Sequence, residues 1–371
     1  MWRSGRALGR ILRPPIRETR LAPISLQQQR GFAKRKKDPR IQARPPGEQE
    51  IESKFPLPDR DKEMELTQLQ NAVADGFRAG NYRKALEDSR ELLKQTRDHF
   101  GDEHPATASA FNNLGLMQKL LGDFDEARKA YKTALGIYKR VVGTDHASYA
   151  SILHNLGTLN QSQLHLDASL RATDRLTLLE QSVEWLSAAY RIRNDELGPE
   201  HPHTVASRSS WGSATASQIL HHHKVTSTSG PKKYVSLLSP EMTEKGWEAA
   251  HAHLRQALET AIASPRGTKT KRAKGDLQTL SAASAAQNMA VFLKARATTQ
   301  TPYNDEWLHE AHSLYKEVLV VRKELLPKGH PDLYATEYSL AELLEAFGDE
   351  EAANSLRQSI VDTYDPPEEE K

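Results

Sequence analysis

Cysteine is absent from this 371-residue chain, so disulfides, thiol catalysis and cysteine-ligated zinc are excluded by composition alone. No apolar run approaches the ~20 residues that a bilayer-spanning helix requires, and the expectation is a soluble or peripheral mature protein. Catalytic motifs are missing as well. There is no Gly-rich phosphate loop after a strand, no His-Glu-x-x-His and no nucleophile elbow. The nearest approach to a metal cluster is His221-His222-His223. Consecutive residues on a helix point in different directions and do not converge on one ion. His251 and His253, two apart, diverge in the same way. No enzyme activity, cofactor or metal site is therefore expected.

Acidic residues are nearly lacking at the N-terminus. Residues 1–32 hold seven arginines and one acid, Glu18, which leaves 44 basic against 48 acidic side chains for the rest. The formal charge of +2 thus hides a basic leader on a mildly acidic body. Arg3, Arg6, Arg10 and Arg13 fall on one face of a helix, Ala7, Leu8, Ile11 and Leu12 on the other, and Pro14-Pro15 ends it. An amphipathic, Arg-rich, acid-poor start resembles a mitochondrial presequence, and a secretory signal would need a continuous apolar core. Arg30-Gly31-Phe32-Ala33 resembles a matrix-processing site, with Arg30 two residues before Phe32 and a small residue, Ala33, after the cut. A basic tail that binds nucleic acid, or nothing, is the alternative. Residues 1–32 are accordingly read as a targeting segment and 33–61, rich in charge and proline, as a disordered linker.

Beyond the linker a phrase recurs. Gly101-Asp102-Glu103-His104-Pro105 returns 42 residues later as Gly143-Thr144-Asp145-His146-Ala147, then as Gly198-Pro199-Glu200-His201-Pro202 and as Gly329-His330-Pro331. A period in this range marks stacked repeats, each unable to bury its apolar face without a neighbour. Inside one unit, Phe111, Leu114, Leu116 and Leu120 keep helical spacing, Gly122-Asp123 breaks it, and Phe124, Ala127, Tyr131 and Ala134 resume it. Gly115 is expected to face Ala127 and Ala134 across a close helix–helix contact. The closing glycine is expected in a left-handed cap, with proline barring continuation of the helix.

The strings Asn113-Leu114-Gly115, Gly122-Asp123-Phe124, Ala127, Tyr131 and Ala134 resemble the tetratricopeptide repeat, in the 42-residue form of kinesin light chains. Gly80-Asn81-Tyr82 with Ala85 places a hairpin before this unit, its first helix over roughly Glu65–Arg78. Asn155-Leu156-Gly157 with Ala189-Tyr190 places another after it, interrupted near Leu164–Thr177. Trp211-Gly212 and Trp247 frame a fourth, broken by a polar stretch over Lys224–Lys245. Asn288-Met289-Ala290 and Leu340-Ala341 mark the fifth and sixth. The resemblance implies an all-α, right-handed α-solenoid of about six tetratricopeptide hairpins over residues 62–365, followed by an acidic tail at 366–371.

It also implies a site. First helices line the concave face in this family, and an Asn before the core Leu or Met contacts the backbone of bound extended peptides. Asn113, Asn155 and Asn288 occupy that place, with Ser210 and Ser339 at the equivalents in the fourth and sixth units. An amide offers both a donor and an acceptor to a peptide group, and it can equally bond within its own hairpin. Asn112, Lys119, His154 and Gln161 are the neighbouring groove positions. They lack the Lys and Arg set that grips a chaperone's C-terminal carboxylate. The partner is accordingly an extended peptide segment or a complex subunit held in the groove, with the three asparagines exposed along it. Proteins of this kind include factors that assemble or maintain respiratory-chain complexes, notably cytochrome bc1, which points to the matrix or the matrix face of the inner membrane. Two rivals stand: an RNA- or mitoribosome-associated repeat protein, and a cytosolic kinesin-light-chain-like cargo adaptor. The acidic body opposes the first and the leader opposes the second. The basic cluster Arg266–Lys274 has no interleaved aromatic to stack a base.

Overall fold

The computed structural model describes residues 60–225, 234–236, 239–263, 276–300 and 303–364. The leader, the processing string at Arg30, Phe32 and Ala33, residues 33–59 of the linker, the Arg266–Lys274 cluster and the acidic tail lie outside the described residues.

Twelve helices are described: α1 (Arg60–Ala79), α2 (Tyr82–Phe100), α3 (Pro105–Leu121), α4 (Phe124–Val141), α5 (Ala147–Leu166), α6 (Ala172–Leu197), α7 (Pro202–His221), α8 (Pro240–Ala263), α9 (Leu280–Thr298), α10 (Asp305–Leu325), α11 (Pro331–Ala346) and α12 (Glu350–Tyr364). They follow one another as six first-helix, second-helix pairs in a tetratricopeptide-like arrangement. The residues form two compact units, divided within α5 between Leu159 and Asn160. The N-terminal unit has its core around Leu66, Val73, Phe77, Tyr82, Leu92 and Met117. The C-terminal unit buries Trp247, Leu254, Phe292, Leu308 and Tyr315 in one cluster and Val205, Ala257, Leu277 and Val318 in a second.

Two sets of caps start the helices. Second helices α2, α10 and α12 are capped by Asn81, Asn304 and Asp349, whose side-chain oxygens accept from the N–H three residues on. First helices use the repeated histidine. Nδ1 of His104, His146, His201 and His330 accepts from the backbone N–H of Ala106, Ser148, His203 and Asp332 at 3.1, 3.1, 3.2 and 3.1 Å. Thr279 takes the histidine's place before α9 and bonds Ala282 N–H at 3.0 Å. The recurring phrase is thus a helix-start signal as much as a stop.

The glycine of that phrase departs from expectation. Gly101 and Gly198 do have positive φ, but ψ is −178° and 164°, so the chain leaves extended rather than through a left-handed cap. The left-handed cap sits inside the hairpin instead, at Gly122 (φ 89°, ψ 5°). Gly115 does lie in a close contact, yet its partner is Tyr131: a Cβ there would stand 2.9 Å from the tyrosine ring. Ala127 and Ala134 are fully buried alongside.

Two interruptions resolve differently from the sequence reading. Near 164–177 the helices simply lengthen. α5 runs on to Leu166 and α6 begins at Ala172, while Arg175 donates to Leu164 O (2.7 Å) and Asp167 O (3.3 Å), satisfying carbonyls at the end of α5. Around Lys224–Lys245, His223–Val225 pairs antiparallel with Tyr234–Ser236 as a small ribbon between α7 and α8, and α8 already starts at Pro240.

Candidate functional site

The asparagines that sequence reasoning singled out sit on first helices and are far less exposed than expected. Asn113 is wholly buried, Asn155 is 6% exposed, and Asn288 is half-buried. Asn112, Lys119 and His154 are buried too. The physical reason is that first helices lie side by side, and these amides face the seam. In the N-terminal unit, Asn155 Nδ2 donates to Asn112 Oδ1 at 2.7 Å, joining α5 to α3. In the C-terminal unit, Asn288 Nδ2 donates to Ser209 Oγ at 2.9 Å, joining α9 to α7. Both bonds obey one register rule: the amide reaches the residue just before its own equivalent in the preceding first helix.

By that rule Asn113 would reach Gln70 of α1, because the Gly80 and Gly122 turns are 42 residues apart. The bond is not made. Asn113 Oδ1 and Nδ2 are both buried without a hydrogen-bond partner. A buried amide left so costs roughly 1–3 kcal/mol relative to a satisfied one.

Lys119 stands six residues beyond Asn113 and donates to Thr158 Oγ1 at 3.4 Å. Burial drives its ammonium pKa down to about 7. Lys294, six beyond Asn288, makes the matching reach to Glu342 at 2.8 Å. His221 and His222 lie edge to face, 5.7 Å apart, and among the described residues no group of three or more His, Asp or Glu is placed to hold a metal ion.

Sequence reasoning missed two buried arginines. Arg193 Nη1 donates to His203 O (3.1 Å) and Ser207 Oγ (2.6 Å). Arg322 Nη1 does the same with Asp332 O (3.0 Å) and Thr336 Oγ1 (2.6 Å), and also meets Gln287. Each clamps the end of a second helix to the start of the next first helix, and burial lowers Arg193 to about 9. The available signal was position: both stand eight residues before the repeated histidine, where Thr96 and Tyr138 stand elsewhere.

Tetratricopeptide-repeat models match residues 63–140 and 119–177, and a further model of the same repeat matches 308–332. These stretches are tetratricopeptide repeats. Among curated relatives, a clustered mitochondria protein homolog of Coccidioides immitis is 28% identical over 130 residues, 35% of this chain and 9% of that protein. One from Ajellomyces capsulatus is 25% identical over 165 residues, 44% of this chain and 12% of that protein. The chain therefore matches only about a tenth of the length of these relatives. Solved structures similar to this chain include BtubC (BKLC) from P. vanneervenii, with 15% identity, TM-score 0.43 and coverage of 79% of this chain and 90% of that one. A second is a putative kinesin light chain of Podosopora anserina with nearly identical repeats, at 17% identity and TM-score 0.40, covering 70% of this chain and 95% of that one. No helix among the described residues is long and apolar enough to cross a membrane.

Proposed function

We propose that this protein is a non-enzymatic mitochondrial scaffold that holds an extended segment of a partner protein against the first-helix layer of its N-terminal unit, at Asn113. The observation that carries the reading is the unpartnered amide. Asn155 and Asn288 spend their donors on neighbouring helices, whereas Asn113 keeps both a donor and an acceptor. A peptide group presents the complementary pair; because Asn113 is wholly buried, it reaches the amide only when the first-helix seam around it opens, and binding would then relieve the cost of the orphaned amide. The site is thus narrower than a ladder of three asparagines. Asn112 and Lys119 on α3 and His154 and Asn155 on α5 are the other buried positions of this layer.

Mitochondrial residence rests on the Arg-rich leader and on relatives named for clustered mitochondria. A role in assembling or maintaining a respiratory-chain complex rests on the family resemblance and belongs to the same proposal. Protein recovered from isolated mitochondria should begin at or beside Ala33, read by N-terminal sequencing; intact Met1 in cytosol would refute the location. For binding, partner capture from mitochondrial lysate is compared between wild type and Asn113→Ala. One or two lost hydrogen bonds, at roughly 0.5–1.5 kcal/mol each, should weaken capture by about three- to a hundredfold. Equal capture by both proteins would move the binding face elsewhere.

A further inference from the structure

The repeated histidines do more than punctuate the chain. A ring nitrogen that accepts from a backbone N–H must carry a lone pair, so the capping imidazole is neutral, with its proton on Nε2. Protonation places a hydrogen on Nδ1, pointing at the N–H it had accepted from, and the cap becomes a repulsive pair. The same geometry occurs four times, at 3.1–3.2 Å.

The four surroundings differ. His104 stacks on Phe100 of α2 at 4.2 Å, and the charged group bearing on it is His99 at the end of that helix, which opposes a second positive charge. The nearby acids are engaged, Asp102 with Arg97 of α2 and Glu103 with Arg140 of α4. At His146 burial disfavours the charged ring; its neighbour Asp145 is exposed and bonded to Thr144. His201 faces His203, on which Arg193 of α6 bears. His330 has the Asp332 carboxylate 3.9 Å from Nδ1, with Arg322 of α10 bonded to the Asp332 carbonyl.

We propose that His104 and His146 form a proton-sensitive joint: protonation of either ring undoes the cap of α3 or α5 and loosens the first-helix layer that contains Asn113. Burial supports this, holding His104 down at about 4 and His146 below the ordinary histidine value. With folded values below the unfolded one, stability from these caps is complete above about pH 6.5. It drains as pH falls from there toward 4, because the unfolded chain takes up protons first.

The test is urea unfolding of the full chain at pH 7.5 and pH 5.0 for wild type, the double variant His104→Asn/His146→Asn, and His222→Asn as control. Asparagine caps a helix and does not titrate. On acidification the wild-type folding constant should fall at least about tenfold further than that of the double variant, with the control tracking wild type. Parallel losses in wild type and double variant overturn the proposal, as does a control that behaves like the double variant. Should the double variant fail to fold, histidine-labelled NMR of wild type decides the matter. Both rings should be neutral with the proton on Nε2 at pH 7.5, and a ring with its proton on Nδ1 at either position sinks the idea.

Discussion

Lys119 in the N-terminal unit and Lys294 in the C-terminal unit occupy the same place in their hairpins and meet different chemistry. Lys294 reaches the Glu342 carboxylate at 2.8 Å and stays partly exposed; Lys119 is buried and reaches a threonine hydroxyl at 3.4 Å. The asparagines repeat the contrast. Asn288 is bonded to Ser209, while Asn113 has no bond at all. Repeat register sets where a side chain stands, and the neighbouring hairpin sets what it meets. At the asparagine register, the C-terminal unit answers Asn288 internally, and the N-terminal unit leaves the Asn113 amide unanswered. That difference is the ground for the binding face proposed on the N-terminal unit.

The strongest way to break this contrast is to titrate the lysines. Lys119 has a folded pKa near 7 against an ordinary 10.5, so the unfolded chain holds more protons between those values. Stability should therefore rise as pH climbs from about 7 toward 10, by roughly 2–4 kcal/mol from this group. Lys119→Met should abolish the rise, whereas Lys294→Met should leave it intact and cost under about 1 kcal/mol. Chemical denaturation across that pH range reads both; an identical pH profile in wild type and Lys119→Met would show that the burial of this ammonium has no energetic weight.

Glycines at matching positions sharpen the comparison. A Cβ at Gly115 would press on the Tyr131 ring at 2.9 Å; at Gly212 it would meet Leu254 Cγ at 2.8 Å and the Ala250 carbonyl at 3.1 Å. Substitution by alanine should cost about 1–3 kcal/mol at each, with Gly212→Ala the worse because backbone yields less than a side chain. Unchanged melting temperatures would mean that these hairpins are packed otherwise.

The smallest effect is a difference of sign. Asn155→Ala strands Asn112 Oδ1 in a buried seam and should lower stability by about 1–2 kcal/mol. Asn113→Leu replaces an unpartnered amide by an apolar group of similar shape and should hold stability or raise it by up to about 1 kcal/mol. If both variants were destabilised alike, Asn113 would have a partner within the fold.

Much of the architecture was readable in one dimension. Six hairpins, their turn glycines and the close approach at Gly115 follow from local spacing and backbone preference. The misreadings have a common origin. The stretch 164–177 looked like an insertion because its helix extensions break the period, although Arg175 ties the lengthened ends together. The three asparagines looked interchangeable because sequence equivalence carries no information about the facing helix. The histidines were legible as turn markers, and their caps were not, since a cap depends on a side-chain rotamer.

By itself, the sequence determined that the chain is a run of helical hairpins and where its turn glycines and helix-opening histidines and prolines fall. Those features depend on residues within a turn or two of one another, through helical periodicity, glycine's access to positive φ and proline's refusal to extend a helix. Only the tertiary structure decided which polar side chains are consumed by packing and which are left without a partner in the fold. Asn155 meets Asn112 across 43 residues and Asn288 meets Ser209 across 79. Hydrogen bonds form between groups brought within about 3 Å, and only the packed fold places residues so distant in sequence that close.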